Sequence, residues 1–233
     1  MKSFSIGEVY LNRNKEKVID INPLPENYCS FDCVFCSLGR TKVKTDKMFN
    51  FEETKKLLHS LEEILKKENI DIVFINPDGD LLAQSKILDV IKLIKKYNVK
   101  VKIISNGYLF NRYEYKKILN NCDEIIGELA VTNEEYFQKI QRPLEGYTLE
   151  EYISNMESFN KQYRGKFILD ISILKNYSDS NEDVKKFKEF IKKINPDEIL
   201  VETPYDGKLK NAFGIDEDRL KEIENLLKEV IVG

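Results

Sequence analysis

The sequence predicts an α/β protein built as a partial (β/α)6 TIM-like barrel, and three observations carry that prediction. Strand-like and helix-like segments alternate about six times with short connections, and strict alternation implies parallel strands joined by right-handed crossovers. At 233 residues the chain has the length of one barrel domain with a sizeable core. The later strands carry carboxylates at alternate positions, which a packed interior makes costly and a curved sheet around a solvated lumen accommodates. In such folds the chemistry sits at the C-terminal ends of the strands.

The elements follow in order. Residues 18–24, "VIDINPL", read as a first strand stopped by Pro23 and Pro25. Residues 51–68 form an amphipathic helix, with Asn50 as its N-cap and Glu53 in the capping-box position. A buried strand over 70–76 leads through "PDGD" to a helix over 84–97, then a strand over 99–106 and a helix over 111–121. The strand over 124–131 precedes a helix starting after Asn133 and, past the loop "RPLEGY", a second helix over 148–163. A strand over 166–174, a helix over 180–194, a strand over 197–203 and a helix over 216–231 complete the pattern. The expected organisation is therefore a single domain, with an N-terminal extension (1–17), a barrel core (18–204) and a closing C-terminal helix (205–233).

Composition narrows the classes. Hydrophobic content of 42% and aromatic content of 11% belong to a globular chain. The 37 Lys and Arg against 40 Asp and Glu give a net charge of −3, so no strongly basic nucleic-acid surface is announced. No apolar run reaches the ~18 residues a membrane span needs, and "MKSFSIGEVYLNRNKEKV" lacks the apolar stretch of a signal peptide. The expectation is a cytoplasmic protein with reduced thiols and no membrane partner, whose four cysteines are ligands or core residues.

Three of those cysteines, Cys29, Cys33 and Cys36, lie within "CSFDCVFC", just after the first strand. Structural zinc takes four ligands, and the chain offers only His59 and Cys122 besides, both in helices remote in sequence. A [4Fe–4S] cube held by three thiolates keeps one iron open, which is what a catalytic cluster needs. The loop could also hold nothing. His59, mid-helix among charges, reads as a surface or boundary residue, and Cys122 as a small buried residue at a helix end.

"CSFDCVFC", with an aromatic residue before the third cysteine, resembles the signature of the radical S-adenosylmethionine (SAM) superfamily. "INPLPENYCSFDCVFCSLGRT" (21–41), "SNGYLF" (105–110) and "FQKIQRPLEGY" (137–147) are similar to the branch related to wyosine-base (tRNA) synthases, and the likeness runs to "VETP" (201–204). The resemblance implies an oxygen-sensitive enzyme in which Cys29, Cys33 and Cys36 ligate a [4Fe–4S] cluster whose open iron binds SAM. Reduction then cleaves SAM to methionine and a 5′-deoxyadenosyl radical that abstracts hydrogen from a substrate. Phe35 would lie against the adenine. Gly79 and Asp80, in "NPDGDLL" where the family has a G-G-E-P-like segment, would receive the methionyl amine. Ser105 and Asn106 would stand near the SAM carboxylate and ribose, and Arg142 of "QRP" would pair with the carboxylate. The family's frequent "LDA" aspartate is missing, because this chain reads "ELAV".

Asp170 joins the cofactor-contact candidates through the SAM hydroxyls. Together with Glu128 and Glu202 it could equally bind a cationic or amine-bearing substrate, or be paired by Arg and Lys of neighbouring strands. Arg40, Lys42, Lys44 and Lys47, just after the cysteine loop, form either a solvated run or a contact for an anionic substrate. The favoured reading is hydrogen abstraction from a small-molecule or peptide substrate, with an electron donor such as flavodoxin or ferredoxin. Behind it stand tRNA base modification, activation of a glycyl-radical enzyme, and a non-catalytic metal-stabilised binding module. A nucleic-acid substrate is not favoured, given the charge and the lack of a second N-terminal cysteine cluster.

Overall fold

The structure is a computed structural model and describes residues 4–232. Strands β1 (Ser5–Leu11) and β2 (Lys17–Asn22) form an antiparallel pair, and two-residue strands β3 (Tyr28–Cys29) and β4 (Val43–Lys44) bracket the cysteine loop. The chain then alternates: α1 (Thr54–Lys67), β5 (Ile72–Ile75), α2 (Ile87–Lys96), β6 (Lys100–Ser105), α3 (Tyr113–Leu119), β7 (Glu124–Leu129). After a short α4 (Glu134–Tyr136) and a π-helical turn over Phe137–Gln141 come α5 (Leu149–Asn160), β8 (Lys166–Ser172), α6 (Asn181–Ile194), β9 (Glu198–Glu202), α7 (Gly207–Phe213) and α8 (Glu217–Val232).

Seven strands make one sheet in the order β1-β2-β5-β6-β7-β8-β9, parallel from β2 onward. All six expected barrel strands are present, and the sheet is open between its edges, which makes the partial barrel. The outward sheet face and the apolar stripes of the helices form the core. Val73, Val101, Ile103, Ile125 and Leu169 are fully buried beneath helical residues such as Ile91, Met156 and Phe187. Among the described residues no helix is long and apolar enough to cross a membrane.

Four local features differ from expectation. The extension over 1–17 contains β1, whose period-2 pattern is interrupted by a bulge between Ile6 and Val9. Asn50 does not cap α1: that helix begins at Thr54, preceded by Glu53 in helical conformation with no side-chain cap bond. The helix expected from residue 84 begins at Ile87, because Gln84 is drawn inward and its amide donates to the Pro23 carbonyl (2.9 Å) and Thr54 Oγ1 (3.0 Å). The closing segment holds two helices rather than one, α7 and α8.

Candidate functional site

The cysteine loop is held at the C-terminal edge of the sheet by contacts on both sides. Its β3 strand pairs with β4, and the Thr45 N–H donates to the Cys29 carbonyl (2.8 Å). On the other side Asp32 N–H donates to the Gln141 and Arg142 carbonyls (3.1 Å each), and Val34 N–H to the Ile140 carbonyl (2.9 Å). Phe31, 1% exposed, plugs into a cluster of Tyr108, Phe137 and Tyr152 at ring separations of 5.5–6.0 Å. The buried Asp32 carboxylate accepts from Arg40 Nε (2.9 Å) and Thr41 N–H (3.0 Å), so Arg40 bends the following loop back instead of reaching outward. Those bonds hold the Asp32 carboxyl below its usual range against the cost of burial.

One cavity of about 750 Å³ opens above this edge, and Cys29, Cys33 and Cys36 all line it. The three thiols are free. Burial pushes each of them up, and at Cys33 the neighbouring Cys29 and Cys36 push further, as closely gathered sulfurs must. Thiols in such surroundings become thiolates when a cationic centre binds them. Cys122 is buried at the end of α3 and His59 is exposed on α1, and neither lines the cavity. Among the described residues no group of three His, Cys, Asp or Glu side chains is placed to hold a single metal ion. Three thiols lining one cavity, with no fourth soft donor lining it among the described residues, fit a cluster that keeps an open coordination position.

The segment after β5 meets the loop through Gly79, whose φ of +136° lies in glycine's territory. A Cβ there would stand 2.4 Å from the Tyr28 carbonyl oxygen, and the next residue's N–H donates to that same oxygen at 2.7 Å. Asp80 is 4% exposed, and its carboxylate does not line the cavity. It caps the 3-10 turn Leu81–Ala83 through Leu82 N–H (3.0 Å) and accepts from Ser105 Oγ (3.0 Å) and Asn106 Nδ2 (2.6 Å). Burial raises its pKa to about 6. Asn106 Nδ2 also reaches Ser30 Oγ (3.1 Å) and Cys29 Sγ (3.6 Å), so Asp80 fixes the strand end that touches the first cysteine.

Of the other candidates, Phe35, Gly79, Ser105, Asn106 and Asp170 line the cavity. Arg142 does not: its backbone is left-handed (φ 47°) and its Nε donates to the Lys139 carbonyl (3.3 Å). The preceding Gln141 lines the cavity in its place. Lys42, Lys44 and Lys47 are exposed and stay outside the lining.

Asp170 is 9% exposed, and burial, then Glu202 and Glu128, push its pKa up to about 8. Glu128 faces the cavity, wet at its surface yet enclosed by protein. Burial, then Asp80 and Glu202, raise it to about 7, and burial also raises Glu202. Asp20 and Gln141 are lining residues that sequence reasoning missed. The sheet period could have found Asp20, which pairs with Phe74 on the lumen face. Nothing in the sequence marks Gln141 above its arginine neighbour.

Comparisons with known proteins bear on this architecture. A UPF0026 protein of Methanocaldococcus jannaschii, MJ1312, is 28% identical over 196 residues, which is 83% of this chain, and the chain spans 61% of that relative. The structure of TYW1 with a lysine-pyruvate adduct bound superposes with a TM-score of 0.65 at 16% identity, covering 91% of this chain and 73% of that one. Streptococcus suis SuiB bound to S-adenosylmethionine superposes with a TM-score of 0.64 at 18% identity, covering 89% of this chain and 43% of the other. The Radical SAM superfamily model matches residues 25–191, from the cysteine loop to α6, and the chain belongs to that superfamily.

Proposed function

We propose that this protein is a radical SAM enzyme that binds a [4Fe–4S] cluster through Cys29, Cys33 and Cys36, cleaves SAM reductively and abstracts hydrogen from a small-molecule or peptide substrate. One observation carries the reading: the three free thiols converge on one cavity at the C-terminal edge of a parallel sheet, and among the described residues no further cysteine or histidine lines it. When bound, the cluster supplies the electron for SAM cleavage, drawn from an external donor such as flavodoxin or ferredoxin. The protein's own part is positioning. Asn106 directs an N–H to Cys29 Sγ, and Phe35 offers a ring at the mouth of the loop. Gly79 and Ser105 line the same wall, where the SAM amino acid end would lie, and the Ser105 hydroxyl is held by Asp80.

The cavity also bears on the substrate. It is lined by Asp20, Asp78, Glu128, Asp170, Glu202 and Asp206, and among the described residues by no Lys, Arg or His. A polyanionic RNA is recognised largely through cations placed against its phosphates, so this lining favours the small-molecule or peptide reading over tRNA modification. An adduct between pyruvate and a lysine has no lining lysine on which to form here.

The test is anaerobic reconstitution with iron and sulfide. The reading expects a full [4Fe–4S] complement of iron in the wild type, an electron paramagnetic resonance signal after reduction, and a change in that signal when SAM is added. Tight zinc binding with no cluster would overturn it in favour of a metal-stabilised binding module.

A further inference from the structure

Five residues on the lumen face of β7, β8 and β9 are acidic, and the structure treats them in two ways. Toward the N-terminal ends of the strands, Glu124 and Glu198 are neutralised: Lys102 Nζ lies 3.6 Å from Glu124, and Lys166 Nζ lies 2.5 Å from Glu198. Above them Ile126 and Ile168 pair across β7 and β8. Toward the C-terminal ends, Glu128 stands directly across from Asp170, and Glu202 sits across from Ser172, two residues along β8 on the same face. Among the described residues no ion pair serves any of these three. A sheet that supplies lysines to one set of carboxylates and withholds them from the set facing the cavity reserves the second set for something else.

A second observation concerns neighbouring groups. Asp170 Oδ1 and Gln141 Oε1 are buried acceptors with no hydrogen-bond partner among the described residues, in side chains 9% and 3% exposed, and both residues line the cavity. Leaving buried acceptors unmatched is costly, and a ligand rich in N–H donors would satisfy them. Neighbouring carboxylates in a low-dielectric cleft also repel one another, and a bound cation removes that repulsion.

We infer that the β7–β9 side of the cavity binds an organic cation, an ammonium or guanidinium group on a small molecule or on a peptide side chain, through Asp170 and Glu202 with Glu128 beside them. The inference deepens the radical SAM reading and rests on it for the claim that this cation is the substrate. Strand order sets most of this subsite apart from the cofactor wall: Glu202 ends β9, three strands along the sheet from Ser105 at the end of β6, while Glu128 on β7 adjoins that wall. Asp170 thereby passes from the cofactor side to the substrate side. Tyr205, 81% exposed at the cavity mouth, offers an aromatic face on the approach path.

The experiment is calorimetric titration of the anaerobically reconstituted protein at pH 8 in 0.15 M salt (roughly one 8 Å Debye length of screening), with and without saturating SAM. The probes are spermidine, agmatine and a capped Gly-Lys-Gly peptide, with butane-1,4-diol as the neutral control. The inference expects at least one cation to bind where the diol does not, with SAM present, and expects Asp170→Asn/Glu202→Gln to weaken that binding at least tenfold. Glu198→Gln, on the same face at the lysine-paired end, should leave it unchanged. Free amines and the peptide are separate arms, so the tighter arm names the source. Binding no better than the diol, binding that survives the double variant, or binding abolished by SAM would each overturn the inference. Assaying 5′-deoxyadenosine on the same preparation separates the two readings. SAM cleavage without cation binding sinks the inference alone, and variant-sensitive cation binding without SAM cleavage sinks the radical reading alone.

Discussion

Replacing Gly79 with alanine tests whether the cysteine loop depends on the segment after β5. The added Cβ would sit 2.4 Å from the Tyr28 carbonyl oxygen and 2.8 Å from the Tyr28 nitrogen, both backbone atoms with no side-chain freedom to yield. It would also force alanine to a φ of +136°. Backbone strain of that kind costs about 1–3 kcal/mol, and a steric insertion that moves backbone costs a similar amount, so the sum is about 2–6 kcal/mol. For a chain of this length that lowers Tm by about 4–24 °C. Because Tyr28 precedes Cys29, the displacement carries into the first thiol. The control is Gly146→Ala, where φ is +83° and nothing lies within 4 Å of the new Cβ. It bears strain without collision, about 1 kcal/mol. Differential scanning fluorimetry and iron content after reconstitution read the two effects. Gly79→Ala should melt lower than Gly146→Ala and load less iron. Equal melting and full loading in both would refute the close-approach argument.

The remaining predictions concern the loop anchors and the acidic wall. Asp170→Asn should stabilise the ligand-free protein at alkaline pH. Its folded pKa of about 8 lies above the ordinary 3.8, so the native state holds the extra proton and wild-type stability falls as pH rises from about 4 to about 8. The variant should therefore gain ~2–4 kcal/mol at pH 9 and nothing near pH 4, and melting curves at several pH values would expose the opposite trend. Phe31→Ala removes the ring packed among Tyr108, Phe137 and Tyr152 and should cost about 3–5 kcal/mol in chemical denaturation; a loss below 1 kcal/mol would mean that the plug is not an anchor. Arg40→Ala and Asp32→Ala should differ although they break the same pair. The exposed Arg40 is worth less than about 1 kcal/mol, whereas removing buried Asp32 also strands the Thr41 N–H, at about 2 kcal/mol in total. Equal losses would place the stability in the ion pair itself.

The barrel was legible because its strands repeat the same message: short apolar runs such as "IDIVFIN", each followed by a helix with an apolar stripe. The elements that escaped are those too short or too interrupted to show a period. Strands β3 and β4 have two residues each, β1 is bulged, and the π-turn of Phe137–Gln141 interrupts a helical pattern from within. At the site, the cysteines, Phe35, Gly79, Ser105 and Asn106, which the resemblance singles out, line the cavity. Asp80 and Arg142 show the limit of spacing, which carries position along the chain but not side-chain direction. The Asp80 carboxylate is drawn inward by three donors, and the left-handed turn at Arg142 presents Gln141 instead. The same limit applied to Glu124 and Glu128, four residues apart on one face of β7. Only the register with Lys102 and Lys166 tells which of the lumen acids is neutralised.

The account turns on whether the three thiols hold a cluster that cleaves SAM. The most direct measurement is the 5′-deoxyadenosine formed when anaerobically reconstituted protein, SAM and dithionite are combined, in the wild type and in Cys33→Ala. The account predicts 5′-deoxyadenosine from the wild type and none from the variant. Equal amounts from both proteins, or none from a wild type carrying its full complement of iron and one of the cations that it binds, would contradict it.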